Sequence, residues 1–172
     1  MVCNTPRRSL SLVEEVQKNP FQTIRLKFSV RIPPKAKSRH RTAGGRAYTD
    51  KNQVKWEQAF GLYAMQEIRL GGGLQNKPLD EPVALVVHFV LPRPKRLLRK
   101  KDPDGQVAHT SKPDLDNLVK SVMDSLNHIS LWCDDKVVTQ IWASKAYAEK
   151  EGAPRVECEI RTLEEEHGSN DY

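Results

Sequence analysis

The sequence predicts an α/β fold: a single domain on a mixed sheet, with elements in the order βαβαββ. Two observations carry this. One strictly alternating stretch and one near-continuous β-branched run stand among segments of helical periodicity. Helical and extended segments also alternate along the chain, which favours a sheet with a crossover. At 172 residues the chain has the length of one ordinary domain.

Between residues 23 and 32, Ile24, Leu26, Phe28, Val30 and Ile32 alternate with Arg25, Lys27, Ser29 and Arg31. That is the period of a half-buried strand. Pro33 and Pro34 end it, and Gly44 and Gly45 keep the following segment in a loop. Asp50 is suited to cap a helix through residue 70, with Trp56, Ala59, Phe60, Tyr63 and Ala64 at helical spacing. The run Gly71-Gly72-Gly73 stops it. The apolar run 83–91 reads as a strand buried on both faces. Pro92, Pro94 and a basic tract make a long loop through residue 111. A second helix spans 114–127, with Leu115, Leu118, Val119, Val122 and Leu126 inward. Strands at 136–147 and 155–161 follow, joined near Gly152 as a hairpin. Residues 1–20 read as an N-terminal extension, 21–161 as the domain and 162–172 as a C-terminal tail.

Composition narrows the functional classes. Cys3, Cys133 and Cys158 are odd in number and lack C-x-x-C spacing. A disulfide framework and a thiolate zinc finger are excluded, and a cytoplasmic location is expected. The first twenty residues contain no apolar signal core, and the longest apolar run, interrupted by His88, is too short to span a bilayer. Formal net charge is +6, but it is unevenly spread. Residues 23–101 carry 18 basic and five acidic side chains, whereas 102–172 carry seven and fifteen. A polyanion-binding surface beside a carboxylate cluster is one reading, and two solvated faces the other. A polyanion at such a cluster requires an intervening cation.

The chemistry concentrates at Lys112-Pro113-Asp114-Leu115-Asp116-Asn117-Leu118-Val119-Lys120. Pro113 disfavours the α conformation at Lys112, so the helix starts at or after it. Asp114 then falls near the N-cap and Asp116 in the first turn, where free N–H groups and the helix dipole favour anions. Lys120 lies one turn beyond Asp116, and Asp124 continues that face, where it is suited to orient the Lys120 ammonium. Each residue alone is also explained as a cap or a surface pair. Asp134-Asp135 opens the next strand. Three carboxylates and a lysine have the composition of a Mg²⁺ site for phosphoryl transfer.

These motifs, KPDLDNLVKSVMDSLN followed by LWCDDKVV, resemble the RusA-type Holliday junction resolvases. The basic segment containing Lys35, Lys37, Arg39, His40 and Arg41 is similar to the loop after that family's first strand. The resemblance follows element order over about residues 22–161 and is specific in 109–138. It implies a homodimeric endodeoxyribonuclease that needs Mg²⁺ (Mn²⁺ as substitute). Such an enzyme cuts branched, four-way DNA junctions symmetrically in recombination and repair. By resemblance Asp114, Asp116 and Asp135 are catalytic metal-binding carboxylates, Asp134 is their helper, and Lys120 is the catalytic lysine. Lys35, Lys37, Arg39, Arg41, Arg46 and Lys112 are the expected DNA-binding set. A second basic tract holds Arg93, Lys95, Arg96, Arg99, Lys100 and Lys101, in a loop longer than the family needs.

Tyr48 and Trp56 are candidates to stack on bases, although Trp56 at helical spacing suits a core. His109, as a lone loop histidine, is expected to be exposed and uninvolved. Cys133 has no supporting histidine, so a thiol nucleophile is rejected. The alternatives are a non-catalytic nucleic-acid-binding module and a D-x-D nucleotide-sugar transferase. The latter is disfavoured by length, by the positive charge and by the lack of a nucleotide-binding half.

Overall fold

The structure is a computed structural model, and it describes residues 22–38, 41–43, 46–48, 50–73 and 77–163. The expected terminal extensions therefore fall almost wholly outside the described residues. Among the described residues the strands and α-helices follow one another as β1 (Gln22–Val30), β2 (Arg41–Ala43), β3 (Arg46–Tyr48), α1 (Lys51–Leu70), β4 (Val83–Leu91), β5 (Val107–Ala108), α2 (Leu115–His128), β6 (Val138–Tyr147) and β7 (Arg155–Leu163). The α/β fold class is as the sequence predicts. The five-stranded mixed sheet has the order β1-β7-β4-β6-β5, and β2 and β3 form a small sheet of their own.

β4 is the centre. Its nine residues are apolar except for His88, and it pairs in parallel with β6 on one side and antiparallel with β7 on the other. The expected β6–β7 hairpin is therefore not formed. β6 and β7 instead each take one edge of β4, pairing its N–H and C=O groups along both sides while its apolar side chains project to the two faces. The connection between them crosses the end of β4, where the Ala148 N–H donates to Leu91 O at 2.8 Å. Two further differences are local. Arg41–Ala43 pairs with Arg46–Tyr48 as the β2–β3 ladder rather than remaining in a plain loop, and the long loop contains β5.

Register aligns the core in rows across the sheet. Leu26, Ile160 and Leu85 form one row, Phe28, Cys158 and Val87 the next, and Val30, Val156 and Phe89 a third. Phe60, Ala64 and Ile68 of α1 and Leu118, Val122 and Leu126 of α2 join them in one core cluster. α1 begins at Asp50, whose carboxylate accepts the Asn52 N–H at 2.9 Å. Gly61 lets the helices approach closely: a Cβ there would lie 2.8 Å from Ile129 Cγ2 and 3.3 Å from Ser125 O. α1 packs on β1 and α2 on β6, side by side, and α2 leaves Asp116 and Lys120 exposed with Asp124 half-buried on the same flank.

Candidate active site

α2 starts where expected. Asp114 is its N-cap residue, in extended conformation, but its carboxylate makes no capping hydrogen bond. The purely structural explanation of this aspartate is thus absent, and its side chain is exposed. Asp116, in the first turn, accepts a 3.3 Å hydrogen bond from Asn117 Nδ2 and is also exposed. Lys120 follows one turn later on the same flank.

Asp116, Lys120, Asp124 and Asp135 line one groove of about 450 Å³, floored by Leu115, Val119, Met123 and Ala143. Asp114 opens instead onto a neighbouring groove of about 570 Å³, lined also by Ala36, Lys37, Lys112, Pro113 and Asn117. The helical turn explains the split. Residues two apart project about 200° apart around the axis, whereas residues four apart share a flank. Among the described residues, no set of three or more His, Cys, Asp or Glu lies close enough to hold a metal ion. The geometry divides the expected set: Asp116 and Asp135 share one groove with Lys120 and Asp124, and Asp114 faces the other.

The two adjacent aspartates differ in their surroundings. Asp134 caps a short 3₁₀ turn, accepting the Lys136 N–H at 2.9 Å, with the Lys136 ammonium 3.7 Å away. The backbone N–H of Lys136 holds its carboxyl below the usual range. Asp135 is the one that reaches the groove.

Asp124 does not bind Lys120. Its carboxylate pairs with Lys37 at 2.7 Å, and Lys37 also donates to Glu57 at 2.7 Å. Glu57 is 3% exposed and accepts from Gln53 Nε2, which also donates to Ser121 Oγ at 2.8 Å. Burial works against the charge of Lys37, but the hydrogen bonds to Asp124 and Glu57 outweigh it and raise its pKa. The Lys37 backbone N–H donates to Asn117 O at 2.8 Å, tying the basic segment to the first turn of α2. Lys37 is thus internal, not the free phosphate ligand the sequence suggests. Lys120 remains exposed, without an ion pair among the described residues.

The remaining basic residues are placed as follows. Lys112 is exposed beside Asp114 and Lys35 is half-buried. Arg41 and Arg46 lie on β2 and β3, with side chains outside the described set, and Arg39 lies outside it entirely. The Tyr48 side chain is likewise outside it. Trp56 serves the core: its indole N–H donates to Pro33 O at 2.8 Å and its ring stacks on Phe60.

Three positions carry roles that the sequence did not point to. Lys145 on β6 donates to Ser111 O at 2.8 Å and Pro113 O at 2.6 Å, clamping the segment that enters α2. Its signal was a lysine in the strand register of Ala143 and Tyr147. Gln53 and Glu57 are polar residues on the buried face of α1, one turn apart. His109, expected to be exposed, is 6% exposed, its ring packed against Tyr147 at 4.4 Å. Burial, and secondarily the Lys145 charge, lowers its pKa.

The class of protein defined by this fold and groove agrees with the comparisons. The family described as Endodeoxyribonuclease RusA matches residues 31–161, and the chain belongs to that family. It is also similar to the uncharacterized protein YqaN of Bacillus subtilis (strain 168). Identity is 34% over 146 residues, covering 80% of this chain and 96% of the relative.

Proposed function

We propose that this chain is a divalent-metal-dependent endodeoxyribonuclease that resolves four-way DNA junctions. The single observation carrying the reading is the groove lined by Asp116, Asp135 and Lys120, whose ammonium has no ion pair among the described residues. The donor set fits Mg²⁺, which typically takes one or two carboxylates and completes its shell with water and substrate phosphate. Asp116 and Asp135 would hold the ion, with Asp114 contributing from the neighbouring groove and Asp134 acting only through the turn it caps. When bound, the ion supplies Lewis-acid charge at the scissile phosphate.

The chain's own groups do the rest. The Lys120 ammonium donates to a non-bridging phosphate oxygen and balances charge as water attacks in line. The apolar floor excludes bulk water beneath it. Lys35 and Lys112 grip flanking phosphates, together with Arg39, Arg41 and Arg46 of the segment around the β2–β3 ladder. Gapless resolution needs two cuts related by a two-fold axis, so the working unit is a homodimer.

The test is cleavage of a labelled four-way junction in Mg²⁺. Asp116→Asn and Lys120→Ala each remove an exposed charge and keep the fold, and each lowers the rate about a hundredfold or more. Cleavage near the wild-type rate by either variant would overturn the assignment.

A further inference from the structure

The loop over residues 92–106 is built around an arginine. Arg93 Nε donates to Leu97 O at 2.9 Å, Nη1 to Gly105 O at 2.9 Å and Nη2 to Pro103 O at 2.6 Å. Nη1 also reaches Ala148 O at 3.4 Å, beyond the end of β6. The guanidinium therefore fixes both limbs of the loop to each other and to the sheet, and is itself unavailable to a ligand.

The acidic side chains of the loop are neutralised by Arg99 within it and by Lys150 of the connection between β6 and β7. Asp102 pairs with Arg99 at 3.3 Å and accepts its backbone N–H at 2.8 Å, while Asp104 pairs with Lys150 at 2.7 Å. Lys95, Arg96, Lys100 and Lys101 are left exposed, with no ion pair among the described residues. A merely solubilising loop has no need of such a scaffold, whereas one that presents cations in fixed positions does.

Its position favours one ligand. The loop leads through β5, paired with the end of β6, to the Lys145 clamp and the start of α2. Gln106 to Asp114 is at most about 28 Å of extended chain, the rise of about eight base pairs of duplex. We propose that this loop is a second, preorganised phosphate-binding pad that grips a duplex arm of the DNA whose branch lies at the groove. The pad rests on the nuclease reading and extends it to how the arms are held.

Binding in EDTA, measured by gel shift over a salt series, tests it on a four-way junction and on a linear duplex. The variant Lys95→Gln/Arg96→Gln/Lys100→Gln/Lys101→Gln should bind both DNAs about tenfold or more weakly near 100 mM salt. The slope of log Kd against log salt should flatten by about two to four, because each phosphate contact contributes roughly 0.9. Thermal unfolding checks that the fold is intact. A control, Arg25→Gln/Arg69→Gln, removes exposed charge near β1, at the opposite edge of the sheet, and should flatten the slope by about 0.5 or less. Equal losses per charge in the two variants, or a quadruple variant with the wild-type slope, would overturn the pad while leaving the groove assignment standing. Wild-type protein that binds neither DNA would overturn both.

Discussion

Lys37 shows how one side chain departs from the character of its segment. It stands among basic residues that read as a flexible polyanion-binding loop, yet its ammonium turns inward to Glu57 and Asp124. Local sequence cannot reveal this, because both partners lie on helices far along the chain. The available sign was the polar pair Gln53 and Glu57 on the buried face of α1, which requires a donor. Removing one member of a buried pair strands the other charge. Lys37→Met should therefore cost about 3–5 kcal/mol of stability. Lys37→Met/Glu57→Gln should recover most of it, as read by urea unfolding. A Lys37→Met chain as stable as wild type but weaker on DNA would return Lys37 to the phosphate-binding set. The same internal pairing keeps Asp124 from Lys120, which has no ion pair among the described residues.

At the scale of elements, helices were more legible than strand order. The boundaries of α1 and α2 follow from Asp50, the glycine run, Pro113 and the spacing of Leu118, Val122 and Leu126, all local signals. Strand pairing is not local: β6 and β7 take opposite edges of β4, a choice that the side-chain pattern of neither strand declares. Their connection carries its own electrostatic tie. Arg155 donates to both carboxylate oxygens of Glu149 at 3.0 Å, and Gln106 donates to it at 3.0 Å. Arg155 chiefly holds the Glu149 carboxyl down to about 2, from an ordinary 4.5. A carboxyl depressed in the folded state contributes stability in full above the unfolded value and loses it as pH falls through the folded one. The stability difference between wild type and Glu149→Gln should therefore be constant above about pH 5 and shrink between pH 5 and 2. Urea midpoints across that range measure it. A gap that does not change with pH would mean the tie is screened by solvent.

Across the whole molecule, the uneven charge seen in the sequence becomes an arrangement. The basic segment after β1 is tied to the first turn of α2, and the carboxylates of the acidic half line the grooves beside it. The motif places Lys120 one turn beyond Asp116 by i,i+4 spacing, whereas the approach of Asp135 to the same groove depends on how β6 packs beside α2. It did not reveal that Asp114 opens onto a separate groove, since helix phase around an N-cap is decided by the packing of the helix. We propose that this groove receives a DNA phosphate. Without metal, each carboxylate there repels that phosphate, by about 0.7 kcal/mol for unit charges ~6 Å apart in water. Junction binding by Asp116→Asn against wild type, in EDTA at fixed low salt and then with Mg²⁺ added, measures this repulsion directly. The variant should bind about two- to fivefold more tightly in EDTA, with the gap closing as Mg²⁺ neutralises the wild-type groove. Equal or weaker binding by Asp116→Asn in EDTA would place these carboxylates away from the phosphate and contradict the nuclease assignment.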